Sequence, residues 1–241
     1  MLLDFLMIIL YSLIHIKFHI SFGDSMIGIC MRSKNPFFGF KYMDWGLHYC
    51  PKIMSSENIV GYHAPIVDIG NPKNTSALNI LKSIINKMDS YSYLTIHLHN
   101  DNEPDFDVLL NNISELNDYA KRKKITLCIE NLRKGFSSNP NNIIEIADST
   151  NCYITFDIGH TKYQDRLNFV DLFSDRIYNV HVYEVELDGI GHVAPKNINV
   201  LRPVLDKLLD YKCDFWLIEL MNYDEIINTK NMLKEYLKNH K

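Results

Sequence analysis

The sequence has no basic excess: 25 Lys and Arg stand against 29 Asp and Glu, a formal net charge of -4 at pH 7. No broad positive field is available to gather a polyanion, so nucleic acid is a disfavoured partner, although a local patch is not forbidden. Cysteine is sparse. Cys30, Cys50, Cys128, Cys152 and Cys213 form an odd set with no CxxC or zinc-ribbon spacing. Neither a disulfide scaffold nor a structural zinc site is indicated, and a reduced, cytoplasmic chain is expected. Apolar runs of bilayer length are also missing. Phe5 to Ile14 is apolar, but His15, Lys17 and His19 soon break the pattern, and a span needs about 20 such residues, so no membrane partner is expected. Asp4 stands where a signal peptide would be basic, and no small-x-small cleavage site follows. A buried element of the fold, sequence upstream of a true start at Met26, and a targeting segment all stay open for this stretch. With no solenoid repeat and no low-complexity linker, one domain is expected for 241 residues.

What the sequence does have is alternation. From Asn58 onward, short β-branched or apolar runs alternate with longer helical stretches, the pattern of repeated βα units and a parallel sheet. Strands are expected at Ile59 to His63, Tyr93 to His99, Ile125 to Glu130, Tyr153 to Asp157, Tyr178 to Tyr183 and Phe215 to Leu220. Between them, Ala77 to Met88 carries a helical stripe of Leu78, Leu81, Ile84, Ile85 and Met88. Phe106 to Arg122, Asn142 to Ala147, Val200 to Tyr211 and Asp224 to Lys238 fill the remaining helical slots, with Asp224 as a candidate N-cap and Pro140 and Pro195 in loops ahead of two helices. The six strands imply six strand-helix units. The expected class is α/β, a (β/α)8 TIM barrel of parallel strands with outer helices, and its closure requires two more units within residues 1–57. The pattern there is poor: Ile16 to Phe22 could form a strand, while Phe37 to Trp45 reads as an aromatic loop. Residues 58–241 are therefore the barrel core and residues 1–57 its weakly patterned N-terminal part, with an open or degenerate barrel as the alternative.

In a parallel barrel the loops after the strands form the active face, so polar residues at strand C-termini carry the chemistry. Glu130 ends Ile-Thr-Leu-Cys-Ile-Glu, Asp157 ends Tyr-Ile-Thr-Phe-Asp with His160 three residues later, His181 closes Tyr-Asn-Val-His, and Glu219 ends Phe-Trp-Leu-Ile-Glu. One such residue would more often be a loop contact. Four on consecutive strands point to one divalent cation, and the mixed donors suit Mn²⁺, Co²⁺, Mg²⁺ or Zn²⁺ better than Ca²⁺, which prefers oxygen alone. Strand alternation puts Thr126, Cys128 and Glu130 on one face, toward the barrel axis if the small residues point there. His99 and His97 also share a face, with His99 nearer the mouth and the stronger candidate for substrate or metal. His63, before Ala-Pro, and His192, after Gly-Ile-Gly, are candidates for substrate contact; for each histidine a buried, hydrogen-bonded role is the alternative. The backbone of Gly-Ile-Gly could approach an anion, a weak signal on its own. Arg133 is more simply a surface residue. Lys121 to Lys124 precedes a strand and reads as a solvated helix end on the opposite face.

The ordered set Gly-Tyr-His-Ala-Pro (61–65), Thr-Ile-His-Leu-His (95–99), Ile-Glu-Asn-Leu (129–132), Phe-Asp-Ile-Gly-His (156–160), Val-His-Val-Tyr (180–183), Gly-Ile-Gly-His (189–192) and Leu-Ile-Glu-Leu (217–220) resembles the xylose isomerase-like barrels. That family includes sugar isomerases, epimerases and the endonuclease IV group. Each piece is weak alone, but the combination is specific and spans the chain from about Asn58 onward. Similarity to the ketose 3-epimerase branch implies Glu130, Asp157, His181 and Glu219 as ligands of one metal and His160 as a substrate hydroxyl contact. It also implies Glu130 and Glu219 as paired acid and base on opposite sides of a small sugar or sugar phosphate, one removing a proton beside a carbonyl and the other returning one, with the cation stabilising the enediolate between. Aldose-ketose isomerisation would use the same parts. The endonuclease IV branch adds histidines on the third and fourth strands and an Asp-x-His pair after the seventh to hold three zinc ions. His63 and either His97 or His99 match, but no Asp-x-His follows His181; Asp188 and His192 are the nearest substitutes, at the wrong spacing. The epimerase branch often carries an Arg soon after the seventh-strand His, and Tyr183 to Gly191 has none. The expected function is thus a metal-dependent sugar isomerase or epimerase, with an abasic-site nuclease and a non-catalytic barrel as alternatives. The resemblance also allows a homodimer.

Overall fold

Strand pairing in the computed structural model runs through an unbroken parallel ring; residues 27–31, 40, 42–48, 51–54, 58–98, 103–213 and 215–240 are described. The strands are β1 (Ile27–Met31), β2 (Met43–Gly46), β3 (Ile59–His63), β4 (Tyr93–Ile96), β5 (Thr126–Glu130), β6 (Tyr153–Asp157), β7 (Ile177–Val182), β8 (Val185–Leu187), β9 (Gly191–Val193) and β10 (Trp216–Ile218). β1 to β7 follow one another around the ring, and β10 closes it by pairing with β7 on one side and β1 on the other, in the register Ile27↔Trp216 and Ile29↔Ile218. β8 and β9 form a separate antiparallel hairpin. The helices are α1 (Ala77–Ile85), α2 (Phe106–Arg122), α3 (Pro140–Thr150), α4 (Arg166–Phe173), α5 (Arg202–Asp210) and α6 (Tyr223–Lys238).

Closure overturns the open-barrel alternative and corrects the reading of residues 1–57. β1 and β2 both come from that stretch, and Met43–Gly46 is a strand where an aromatic loop was expected. The reason is physical: β2 is buried at every position, so it lacks the polar alternation that marks a strand with one wet face. The expected strand at Ile16 to Phe22, the apolar run Phe5 to Ile14, Met26, Cys50 and His99 lie outside the described residues. Two strands end sooner than expected, β4 at Ile96 and β10 at Ile218. α4 was not anticipated, because its apolar residues do not fall on a clean single stripe. Asn222, not Asp224, caps α6 by accepting from the Glu225 N–H, while Asp224 falls in the first turn. No helix among the described residues is long and apolar enough to cross a membrane.

The main core lies between sheet and helices. α2 turns Leu109, Ile113, Leu116 and Ala120 inward, all fully buried, and each leucine or isoleucine among them contributes about 1.5–3 kcal/mol by burial. A second, smaller cluster of Cys30, Tyr93, Cys128 and Leu217 fills the inside of the barrel. One position further along the inward rows, Thr95 and Thr155 share a hydrogen bond of 2.8 Å. The inward side chains therefore change from apolar, through hydroxyl, to ionisable toward the strand C-termini. Lys121 to Lys124 are exposed at the end of α2, ahead of β5, on the face away from those C-termini.

Candidate metal centre

Glu130 and Asp157 are the last residues of β5 and β6, His181 is next to last on β7, and Glu219 directly follows β10. The register pairs Asp157 with His181 but Glu130 with Thr155, and Glu219 lies two residues past Leu217, the partner of His181; the tilt of the strands still brings the four side-chain ends within 4.8 Å of one another. Nδ1 of His181 lies 3.3 Å from Glu130 Oε1, 3.6 Å from Asp157 Oδ2 and 3.2 Å from Glu219 Oε2. Metal bonds of about 2.0–2.2 Å hold neighbouring ligand atoms roughly 3 Å apart; the donor set meets that spacing with little adjustment. All four residues are buried. Both His181 nitrogens and Asp157 Oδ2 engage no hydrogen bond among the described residues. Carboxylates crowded out of water need a counter-charge, and a cation between these atoms would provide it.

Glu130 divides its oxygens between two sides. Oε1 faces His181 and His160, the latter through Nδ1 at 3.7 Å. Oε2 meets His63 Nε2 at 2.7 Å and His97 Nε2 at 3.2 Å. Burial would lower the His63 pKa, but the charge of Glu130 and its hydrogen bond hold it up at about 9. For His97 burial wins, and its pKa falls below the ordinary histidine value. Burial would raise Glu130, yet His181, His63 and His97 together hold it well below the usual carboxylate range. His97, the weaker expectation of the strand-four pair, contacts Glu130, continuing the inward alternation of Tyr93 and Thr95 just past the end of β4.

A second group lines the rim. His160 Nδ1–H donates to the Asn131 carbonyl at 2.9 Å, and its Nε2 lies 3.4 Å from Glu186 Oε2. Burial pushes the His160 pKa down; the charge of Asp157 and the bond to Glu186 overcome this and hold it at about 10. The same bond from His160 lowers Glu186 to about 2. His192 Nδ1 bonds the Glu219 carbonyl at 2.8 Å, and its ring stacks on Tyr183 at 3.8 Å. Asp188 and His192, the nearest substitutes for the Asp-x-His pair though at the wrong spacing, do not cluster; Glu186 groups with His192 instead. In the β8–β9 hairpin Glu186 pairs directly with His192, whereas Asp188 is drawn to Arg133 and Lys134 at the surface. Gly-Ile-Gly forms the hairpin tip, where Gly189 and Gly191 take φ of +74° and +87°, values that suit glycine. Arg133 also reaches Glu186 at 3.1 Å, so it braces the rim besides facing solvent. The Asp-Gly turn between Glu186 and His192 was the sequence signal that could have identified the pair.

The sequence profile of the xylose isomerase-like TIM barrels matches residues 77–229. The chain belongs to that family. It is 57% identical over 219 residues to an uncharacterized protein of Methanocaldococcus jannaschii, covering 90% of this chain and 98% of that one. Its fold is similar to that of a D-tagatose 3-epimerase-like protein, with a TM-score of 0.70 at 20% identity, covering 88% of this chain and 97% of the other. It is also similar to a xylose isomerase-like TIM barrel protein of Mycobacterium smegmatis in complex with magnesium, with a TM-score of 0.63 at 12% identity over 83% and 85% of the two chains.

In this member of the family, side chains behind the centre fix the candidate ligands. Asn131 accepts from the Asp157 N–H at 2.8 Å and donates to the Asp157 carbonyl at 2.9 Å and to Thr161 Oγ1 at 3.1 Å. Asp157 Oδ1 accepts from the His160 N–H at 2.9 Å. Asp44, fully buried on β2, accepts from the Tyr93 hydroxyl at 2.9 Å. It escaped the sequence reading because β2 did.

Proposed function

We propose that the protein is a divalent-metal-dependent isomerase or epimerase of a small sugar or sugar phosphate. The observation that carries this is the convergence of Glu130, Asp157, His181 and Glu219 on one point, with the two glutamates entering from strands three steps apart. The epimerase-like neighbour and the magnesium-bound neighbour support it by analogy of fold. A divalent cation held there would polarise a substrate carbonyl and its adjacent hydroxyl. Glu130 and Glu219 supply the proton movements: one takes the proton from the carbon beside the carbonyl, and the other returns a proton from the opposite side. The histidines around Glu130 keep it ionised and ready to accept. His160, fixed by Asn131 and Asp157, orients a substrate hydroxyl, and His63 and His192 border the space beside it. The test is metal content of the purified protein together with deuterium uptake at the α-carbon of candidate ketoses, for the parent and for Glu130→Gln, Glu219→Gln and Asp157→Ala. Undiminished metal in all three variants would sink the site. Bound metal with no uptake in the parent would leave a nuclease or a non-catalytic barrel.

One observation favours a second reading. The two oxygens of Glu130 face different nitrogen groups, and His63, His97 and Glu130 form one cluster while His160, Glu186 and His192 form another. Such an arrangement could hold further cations around a bridging carboxylate, as in a zinc-dependent abasic-site nuclease. About three tightly bound zinc ions per chain, with incision of an abasic-site duplex, would select that reading; one exchangeable cation with proton exchange would select the isomerase.

A further inference from the structure

Below the metal centre, the barrel interior holds one carboxylate that the chemistry above does not use. Asp44 is fully buried, and its Oδ2 accepts from the Tyr93 hydroxyl. Gly61 makes that contact reachable: a Cβ there would lie 2.1 Å from Tyr93 Cζ, so only glycine lets the tyrosine ring lie across β3. Oδ1 of Asp44 and Nε2 of His181 are both buried, and neither engages a hydrogen bond among the described residues. The Asp44 carboxylate, a ring nitrogen of His181 and the Cys30 thiol lie within 4.8 Å of one another. The three carboxylates of the centre surround Nδ1 of His181, and the two nitrogens of an imidazole point to opposite sides of the ring, so Nε2 is turned away from them. A buried donor and a buried acceptor each carry a desolvation cost when unmatched, and one bond between them removes both.

We propose that Asp44 is a positioning residue of the metal centre: its Oδ1 takes the Nε2–H of His181, which fixes the tautomer whose Nδ1 lone pair faces the cation. The inference rests on the metal-site reading above. Tyr93 holds the carboxylate at the correct angle, and the centre thereby gains a supporting partner from β2, a strand that contributes no ligand. Outer partners of this kind orient a ligating histidine and raise its basicity.

The parent protein itself gives the first test. With Mg²⁺ or Zn²⁺ bound, ¹⁵N-resolved NMR of labelled histidines is expected to show His181 protonated on Nε2. Titration with Mn²⁺ is expected to show metal affinity reduced about 10–100-fold in Asp44→Asn and Asp44→Ala, and reduced by a smaller factor in Tyr93→Phe. Circular dichroism identifies variants that keep the fold. A proton on Nδ1 of metal-loaded His181 would overturn the inference. So would folded Asp44 variants that bind Mn²⁺ within about twofold of the parent, far less than a lost supporting partner costs, while Asp157→Ala loses it. If Asp157→Ala also binds like the parent, the metal-site reading itself fails.

Discussion

Asp157→Asn isolates what a bound cation contributes to folding. A ligand that binds only the folded chain stabilises it by RT ln(1 + [L]/Kd), about 2.7 kcal/mol at a hundred times Kd. In a domain of this size each kcal/mol moves Tm by about 2–4 °C, so saturating cation is expected to raise the parent's Tm by about 5–11 °C. Asparagine keeps an Oδ1 for the His160 N–H, and the backbone of residue 157 stays tied to Asn131. The metal-free variant should therefore melt within about 1 kcal/mol, or roughly 2–4 °C, of the metal-free parent. What it loses is the oxygen facing His181 Nδ1 at 3.6 Å, replaced by an amide that donates instead of ligating. If affinity falls about a thousandfold, the gain at the same metal concentration is under about 0.1 kcal/mol. Scanning fluorimetry in EDTA and then in Mn²⁺, Co²⁺, Mg²⁺ or Zn²⁺ reads both numbers. A parent that no cation shifts, or a variant that shifts as far as the parent, would refute the reasoning.

Other perturbations probe neighbouring links of the same chain. Gly159→Ala would set a Cβ 2.0 Å from Tyr183 Cε2 and should cost about 1–3 kcal/mol in urea unfolding by displacing the Tyr183–His192 stack; an unchanged midpoint would show that the stack yields freely. Asn131→Ala strips the buried Asp157 N–H of its partner and leaves the Asp157 carbonyl only the Thr161 hydroxyl, with an expected loss of about 1–3 kcal/mol and weaker metal binding. In metal-free protein, the folded pKa values of His63 and His160, about 9 and about 10, stand above the ordinary 6.5. Raised values make the sign definite: their stabilisation is complete below pH 6.5 and fades as the pH climbs through the folded values. Denaturation midpoints that stay flat or rise across that interval would contradict the ion pairs with Glu130 and Asp157. His63→Asn should leave one cation per chain bound if the centre is mononuclear, and lower the metal count measured by emission spectrometry if Glu130 bridges two.

Several levels of this protein were legible from residue order. The strand-helix alternation after Asn58 announces a barrel because parallel strands buried on both faces leave long apolar runs between amphipathic helices. The carboxylates and the imidazole at four successive strand ends announce a site because, in such a barrel, strand C-termini share one face. Those signals are local. Glu130, Asp157, His181 and Glu219 could be named because each sits at or next to the end of its own strand, and the strand's alternation decides which way it points.

The remainder depended on neighbours that the chain does not put side by side. β2 looked like a loop because a strand buried on both faces carries no period-two pattern, and Asp44 was lost with it. Glu186 was passed over because it is distant from His192 in sequence, and only the hairpin pairs them. His97 meets Glu130 just past the end of β4, a strand that ends sooner than its composition suggested. Sequence by itself determined the four candidate ligands, since strand period and βα order are properties of short segments. Tertiary structure decided which histidines crowd Glu130, which carboxylate lies beneath His181 and whether the ring closes, since each depends on strands brought together across the barrel.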